Sequence, residues 1–198
     1  MPTREELRIA THENVMAAAQ KLFRERGFKG TTIREIAEAA GVSVGSVMAV
    51  GDKNGLLVAT FDHAISEMHQ AQPPQEQSNA EVSMPNGPVD DVMAIFEPFL
   101  SMFGTQMDLA REYGAILMSG NHRSVIFQEL AVVLTSQIER TLEAAGMSTE
   151  KSSLAARGIY LAYLGTIFVW AGSGLAENVQ PIRDLRSTIA FVLQTEGY

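Results

Sequence analysis

The sequence predicts an all-α protein with an N-terminal helix-turn-helix head and a larger C-terminal helical domain. Apolar residues recur at helical spacing along most of the chain, strand patterns are nearly absent, and two short helical patterns flank a sharp turn near residue 41. With 198 residues, 46% of them apolar and 19% charged, the chain is long and apolar enough to bury a core.

The N-terminal segment predicts three helices with recognisable ends. A glycine at position 27 ends the first helix, and Thr32 with Glu35 forms a capping box that starts the second. Gly41 ends the second helix, and Ser43 caps the third. The predicted spans are 4–26, 33–40 and 43–50.

A fourth helix is predicted to begin after Asp52 and to lead into the C-terminal part. Residues 72–88 contain four prolines and predict a loop, and Pro98 is expected to kink or divide the helix that follows. The later helices are predicted over 89–103, 107–118, 122–145, 149–171 and 179–194. The predicted domains are 1–55 and 56–198.

Charge is distributed unevenly between these two domains. Residues 1–55 hold eight basic and seven acidic residues, a net charge of +1, whereas residues 56–198 hold seven basic and sixteen acidic residues, a net charge of −9. The first domain can therefore approach a polyanion more easily than the second.

Several functional classes lack their sequence signals. The chain has no cysteine, no GxSxG or HExxH motif and no glycine-rich phosphate loop, so we predict no enzyme activity and no cofactor. His63 and His69 are six residues apart, which does not fit a metal pair on a helix, and no metal site is predicted.

The N-terminus lacks a secretory signal, which predicts a cytoplasmic location. The uncharged stretch 158–176 is interpreted as a core or interface helix, without membrane association.

The segment 33–52 has the residues that a helix-turn-helix needs. Ala37 allows the two helices to approach closely, and Gly41 can adopt a left-handed turn without a Cβ penalty. Ile36, Val42 and Val47 are expected to fill the shared core. The third helix is then the candidate recognition helix for DNA.

The stretch AAQKLFRERGFKGTTIREIAEAAGVSVGSV, followed by GDKNGLL, resembles the tetracycline-repressor-like (TetR) transcriptional regulators over about residues 17–57. The phrases LFRERGF, TTIREIAEAAGVS and GDKNGLL occur in the family's order. The resemblance implies a DNA-binding head, a connecting fourth helix, and a C-terminal domain that forms a homodimer and binds a small-molecule effector. Where the family commonly has aromatic residues after the second valine of the third helix, this chain has Met48, Ala49 and Val50.

The predicted contacts with double-stranded DNA divide into phosphate and base contacts. Helix 2 begins at a threonine pair whose unpaired N–H groups favour an anion, although simple capping is the alternative. The resemblance places a phosphate-binding lysine at the start of helix 4, where a solvated lysine is the alternative. The third helix has no Lys, Arg, Asn or Gln, which excludes their bidentate base contacts. The predicted DNA-binding residues are Thr31, Thr32, Arg34, Ser43, Val44, Ser46, Met48 and Lys53.

Small residues at alternating spacings of three and four form a stripe in the helix predicted over 149–171 and just beyond it. The stripe predicts close helix packing, either within one subunit or across a two-fold axis. The resemblance favours dimerisation through the last two helices. The predicted interface residues are Ala155, Gly158, Ala162, Gly165, Val169, Gly172, Ile182, Leu185, Ile189, Val192 and Leu193.

Methionine and aromatic residues are concentrated after residue 90. These side chains suit an adaptable apolar pocket, and they suit an ordinary core equally well. The predicted pocket residues are Met93, Phe96, Phe99, Met102, Phe103, Met107, Tyr113, Met118, Phe127, Tyr163 and Trp170. The resemblance thus implies a ligand-responsive transcriptional regulator, most simply a repressor, that binds a palindromic operator. The alternative is an all-helical interaction module that does not bind DNA.

Overall fold

A computed structural model describes residues 3–71, 87–173 and 179–195, and these residues form helices joined by turns. The helices are α1 Arg4–Arg26, α2 Ile33–Ala40, α3 Val44–Val50, α4 Lys53–Ala71, α5 Pro88–Thr105, α6 Met107–Met118, α7 Val125–Ala144, α8 Thr149–Ser173 and α9 Gln180–Thr195. The prediction of an all-α fold is confirmed. Most of the predicted 72–88 loop, residues 72–86, lies outside the described residues.

Packing divides the chain into two compact units that differ from the predicted domains. Within the described residues, the first unit contains residues 3–67 together with 108–125, and the second contains residues 68–71, 87–107, 126–173 and 179–195. The first unit thus includes most of α4 and nearly all of α6. A boundary after residue 55 separates the helix-turn-helix segment from the rest of the chain, but the packed unit around that segment is larger.

Helices α1, α2 and α3 pack on one another as the core of the first unit. Ile36 and Val47 have no exposed surface, and Ala37 lies where α2 packs against its neighbours. The capping box predicted at Thr32 and Glu35 is present. The N–H of Glu35 donates to the Thr32 hydroxyl oxygen, and the N–H of Thr32 donates to the Glu35 carboxylate. Local capping and apolar spacing therefore fix the ends and the buried faces of these helices.

The turn between α2 and α3 depends on Gly41, which adopts a left-handed conformation with φ 67° and ψ 29°. Its N–H donates to the carbonyl of Glu38, and the N–H of Val42 donates to the carbonyl of Ala37 at 3.0 Å. These bonds end α2 and reverse the chain, which confirms the predicted role of Gly41. Residues with a Cβ are disfavoured in this conformation.

The second unit is built around α5, α8 and α9. Helix α8 packs along α9, and α5 packs on both. Phe96 and Phe99 of α5 are fully buried, and the ring of Phe96 stacks on Tyr163 of α8 with centroids 4.3 Å apart. One face of α7 is also buried through Leu134, Ile138 and Leu142.

Two helix predictions need correction. Pro98 was expected to kink or divide its helix, and the division is wrong because α5 continues through Pro98 as a single element. The carbonyl that loses its partner at a proline belongs to the residue four positions earlier, here Ala94, and Ala94 is exposed to solvent. Helix α7 begins at Val125 rather than at His122, because residues 119–124 form a turn that makes tertiary contacts with α4 and the residue before it.

The left-handed turn makes a direct prediction for Gly41. We expect Gly41→Val to destabilise the first unit by about 1–2 kcal/mol, because a β-branched residue in this conformation meets its own backbone. In a chain of this size each kcal/mol lowers the melting temperature by about 2–4 °C. Asn tolerates the conformation better, so Gly41→Asn is the matched control and should melt close to wild type. Equal melting temperatures for Gly41→Val and wild type would contradict the turn assignment.

Candidate nucleic-acid interface

The outer face of α3 is held in a fixed position by the buried face of the same helix. Val47 points into the core of the first unit, whereas Val44 is 45% exposed and Met48 is 51% exposed. Val44 and Met48 lie four residues apart, so they project from the same side of the helix. The arrangement presents a short, apolar helix face to solvent on a rigid three-helix support.

Ser43 and Ser46 occupy the start of this helix and bond to each other. The N–H of Ser46 donates to Ser43 Oγ at 3.1 Å, and the two hydroxyl oxygens lie 2.9 Å apart, with either able to donate. Ser43 is therefore the N-cap of α3, as predicted. The Oγ–Oγ hydrogen bond occupies one of the two hydroxyl protons, so the pair retains only part of its donor capacity for another molecule.

The threonine pair before α2 divides into one buried and one exposed residue. Thr31 is fully buried, and its hydroxyl donates to the carbonyl of Gly27 at 2.9 Å, with the Leu22 carbonyl at 3.2 Å. The prediction that Thr31 contacts DNA is therefore wrong, because its hydroxyl stabilises the turn after α1. Thr32 is exposed and caps α2, and its hydroxyl lies 2.8 Å from a Glu35 oxygen.

The carboxylate of Glu35 accepts three hydrogen bonds at the N-terminal end of α2. The hydroxyl and the N–H of Thr32 donate to its carboxylate and, with Arg26 at 2.7 Å, lower the pKa of Glu35. Arg34 is exposed, and the described residues form no ion pair with it. Arg34 is thus available to an external anion, whereas Arg26 is engaged.

Lys53 is the first residue of α4 and lies beside an aromatic ring. Its Nζ is 4.3 Å from the centroid of the Phe28 ring, a cation–π contact that orients the ammonium group. Lys29 has an 87% exposed side chain, and its Nζ lies 3.0 Å from Glu112 of α6. The ammonium group of Lys53 is therefore held in place by an aromatic ring, without a carboxylate partner among the described residues. The charge of Lys29 is partly compensated by Glu112.

A cluster that sequence reasoning missed joins the start of α4 to the turn after α6. Asp52 Oδ1 accepts the N–H of Gly55 at 2.7 Å and lies 3.0 Å from His122 Nε2. The Gly55 N–H, followed by His122, lowers the pKa of Asp52. A Cβ at Gly55 would stand 3.6 Å from the His122 ring, so the imidazole covers the first turn of α4. Asp52 thus caps α4 immediately before Lys53.

A second cluster of polar side chains is centred on Asp62, further along α4. Asp62 Oδ1 accepts hydroxyl hydrogen bonds from Ser124 at 2.7 Å and from Tyr113 at 3.1 Å, and the Tyr113 ring stacks on Phe61. Burial raises the pKa of Asp62, and the two hydroxyl bonds oppose that effect. No local pattern predicts these partners, because they lie 51 and 62 residues away in the sequence.

The predicted effector-pocket residues are distributed over both compact units. Phe96, Phe99, Phe103 and Tyr163 are buried in the second unit, where their rings fill the interior. Tyr113 belongs to the first unit, and so does Met118, which is 74% exposed. Tyr113 and Met118 thus contribute to the unit that contains the helix-turn-helix, and their assignment to an effector pocket stays a prediction. Met102 and Phe127 are half-buried, and Met107 is buried.

A groove of about 840 Å³ lies in the second unit along α5, the end of α8 and the start of α9. Met93 and Trp170 are the two predicted pocket residues that line it. The indole of Trp170 packs where a Cβ at Gly104 would lie only 2.8 Å away, so glycine allows this close approach. An ion pair between Asp90 and Arg186 lies at the edge of the groove. The groove is thus partly apolar and partly charged.

The predicted dimer residues divide between the interior and the surface of the chain. Ala155, Leu185 and Ile189 are buried within the chain, so their assignment to a dimer interface is corrected. Ile182, Val192, Leu193 and Ala162 are half-buried. Open space surrounds the glycines of the stripe, and Val169 is exposed. The open positions are Gly158, Gly165, Val169 and Gly172.

Helix α8 carries more exposed apolar surface than the stripe alone implied. Leu154, Leu161 and Phe168 recur every seven residues and are exposed by 65%, 66% and 43%. They alternate with the three open glycines at spacings of four and three. Among the described helices, α8 is long and apolar enough to span a membrane, and 44% of its apolar stretch is buried in the protein.

The N-terminal segment is similar to a described protein family. The family model for bacterial regulatory proteins of the tetR family matches residues 15–49, which contain the second half of α1, all of α2 and nearly all of α3. A probable HTH-type transcriptional regulator of Bacillus subtilis, YttP, is 31% identical over 64 residues, or 32% of this chain. The match spans 30% of the length of that relative.

Solved structures are similar over nearly the whole chain. A TetR transcriptional regulator from Rhodococcus sp. RHA1 is 22% identical and has a TM-score of 0.64, with 98% of this chain and 100% of that chain covered. The repressor FadR of Thermus thermophilus, solved in complex with lauroyl-CoA, is 21% identical with a TM-score of 0.55, covering 92% and 91%. These similarities establish a TetR-like fold for both units.

The Asp52 cluster predicts how the stability of the first unit depends on pH. The folded-state pKa of Asp52 lies below its unfolded value of about 3.9, so its stabilisation is complete above that pH. The stabilisation is lost as the pH falls through the folded-state pKa. We expect Asp52→Asn to unfold with a weaker dependence on pH between 3 and 5, measured by thermal melting.

One further variant of Asp52 and one control variant on α2 separate the effect of charge from the effect of helix capping. Asp52→Ala should cost about 0.5–2 kcal/mol at pH 7, because the N–H of Gly55 loses its side-chain acceptor. Glu38→Gln removes an exposed carboxylate of α2 and serves as the control. If Asp52→Asn and Glu38→Gln change the pH dependence equally, the Asp52 cluster does not stabilise the folded state.

Proposed function

We propose that this chain, whose residues 15–49 match the family model for bacterial regulatory proteins of the tetR family, represses transcription by binding a palindromic DNA operator as a homodimer. The observation that carries the proposal is the outward-facing α3, supported by α1 and α2 in the segment that matches the family. At the family level the members are regulators rather than enzymes. We accordingly propose no catalytic activity and a cytoplasmic location.

Each head of the dimer places α3 in a major groove. The two heads then bind half-sites about 34–36 Å apart, or a multiple of that distance, on one side of the duplex. Arg34 and Lys53 contact phosphates, and the exposed N-terminus of α2 at Thr32 provides a further anion contact. Phosphate contacts position the helix, and the side chains of α3 then read the bases.

The outer face of α8 forms the centre of the dimer interface. Leu154, Leu161 and Phe168 bury their exposed apolar surface against the partner, and the glycines between them allow the two backbones to approach closely. The open space around those glycines supports a partner from outside the chain over the alternative of packing within one subunit. An isologous two-fold interface is the simplest arrangement for such a face.

A small amphipathic effector binds the groove along α5, α8 and α9 and releases the DNA. The groove offers apolar contacts from Met93 and Trp170 and charged groups at Asp90 and Arg186. The FadR structure with lauroyl-CoA supports this class of ligand, because that ligand has an acyl chain and a charged end. A tenfold loss of DNA affinity requires about 1.4 kcal/mol of coupling between the effector and DNA sites.

An electrophoretic mobility shift with the DNA that flanks the gene tests this function. We expect a complex that survives an excess of random competitor DNA. A protein that binds no DNA more tightly than the competitor would instead favour the alternative, an all-helical interaction module.

Lys53 is predicted to bind a phosphate. We expect Lys53→Ala to weaken binding to operator and random DNA alike and to reduce the salt slope by about one ion for each head. Lys53→Arg should retain most of the affinity, and Arg140→Ala on the exposed side of α7 is the charge-matched control. A loss confined to one base position, measured by fluorescence anisotropy, would show that Lys53 reads sequence instead.

Gly165 tests the dimer interface. Because open space surrounds it within the chain, Gly165→Leu should fold normally but push the two α8 helices apart, at about 1–3 kcal/mol for each site. Sedimentation equilibrium should therefore show a weaker dimer. Ala144→Leu adds the same side chain at an exposed position of α7 and should leave the dimer constant unchanged. An unchanged constant for Gly165→Leu would place the interface elsewhere.

A further inference from the structure

The outer face of α3 has an unusual chemistry for a helix that reads bases. Its sequence is VGSVMAV, and its two longest exposed side chains are those of Val44 and Met48. Arg and Lys recognise guanine, and Asn and Gln recognise adenine, through paired hydrogen bonds to base edges. This helix has none of these four residues, so it cannot use that form of recognition.

The hydroxyl groups of α3 do not replace those hydrogen bonds. Ser43 accepts the N–H of Ser46, and the two hydroxyls are hydrogen-bonded to each other. Redirecting both hydroxyls to a base would break the N-terminal cap of a helix of only seven residues. One hydroxyl proton of the pair remains available, and the other exposed side chains of α3 are apolar.

We propose that Val44 and Met48 read the operator by contacting the C5 methyl groups of two thymines in each half-site. The proposal rests on the function proposed above and specifies what its recognition helix selects. Thymine presents an apolar methyl group in the major groove, whereas cytosine presents an amino donor at the neighbouring position. An apolar side chain placed over cytosine would remove that donor from water without offering an acceptor, which disfavours cytosine.

The spacing of the two side chains limits where the two thymines lie. Residues four apart on a helix have Cβ atoms about 5–6 Å apart, and successive bases on one strand are about 3.4 Å apart along the duplex axis. Val44 and Met48 therefore contact methyl groups separated by one or two base steps. Arg34 of α2 and Lys53 of α4 supply positive charge for the adjacent phosphates, which complements the apolar face of α3.

Replacing thymine by deoxyuridine tests the proposal, because deoxyuridine keeps the base pair and lacks only the C5 methyl group. The full-length protein is titrated by fluorescence anisotropy with its operator, in which each thymine is replaced in turn. Burial of one methyl group changes affinity by about fourfold. We expect two positions in each half-site at which deoxyuridine weakens binding by about this factor.

Variants of the two side chains assign each methyl group to its contact. Val44→Ala should abolish the thymine-to-deoxyuridine difference at one position and retain it at the other, and Met48→Ala should do the reverse. Both residues are exposed, so circular dichroism should show folded proteins. Lys53→Ala provides the comparison, because it should weaken thymine and deoxyuridine operators by the same factor.

The possible results separate this inference from the function on which it rests. Tight operator binding that is insensitive to deoxyuridine at every position would overturn the methyl readout and leave the regulator intact. Differences that persist unchanged in both alanine variants would assign the readout to other residues and equally overturn it. Absence of sequence-specific DNA binding would overturn the function and the inference together.

Discussion

The burial of Val47 and Ile36 on either side of the left-handed turn at Gly41 determines which side chains α3 presents to solvent. Because Val47 is buried, the opposite side of α3 faces solvent, and a slip of one residue would expose a different set of side chains. The Ser43 cap and the bond from Val42 to Ala37 fix the start of α3 relative to α2. In the proposed function, DNA recognition therefore depends on buried residues of the first unit.

Where local chemistry decides the structure, the sequence was sufficient to predict it. The capping box at Thr32, the glycine at 41 and the cap at Ser43 define α2 and α3 within a few residues, and these boundaries are confirmed. Partners distant in sequence were not predictable in this way. His122 was assigned to a helix, yet it packs over the first turn of α4, 70 residues away from Asp52. Thr31 shows the same limit, because only the fold reveals that its hydroxyl bonds to the turn after α1.

The second unit shows how one helix can carry two apolar faces that sequence alone does not separate. Tyr163 and Trp170 of α8 face the interior, while Leu161 and Phe168 of the same helix remain exposed. The small-residue stripe indicated close packing but not its partner. The open space around Gly165 is information that only the packed chain provides. Likewise, methionine and aromatic content predicted apolar packing, but it did not distinguish the core around Phe96 from the groove beside Met93.

The most direct test of the account places a DNA-cleaving label on α3. The chain has no cysteine, so Ala49→Cys, at an exposed position of α3, can be labelled uniquely with an iron chelate that cleaves nearby DNA. We expect two cleavage clusters about one helical turn apart, or a multiple of it, arranged symmetrically about the operator centre. The same label on Ala144→Cys in α7 should cleave weakly or not at all. Equal cleavage from both labels, or none from α3 in a complex that binds DNA, would contradict the assignment of α3 as the recognition helix.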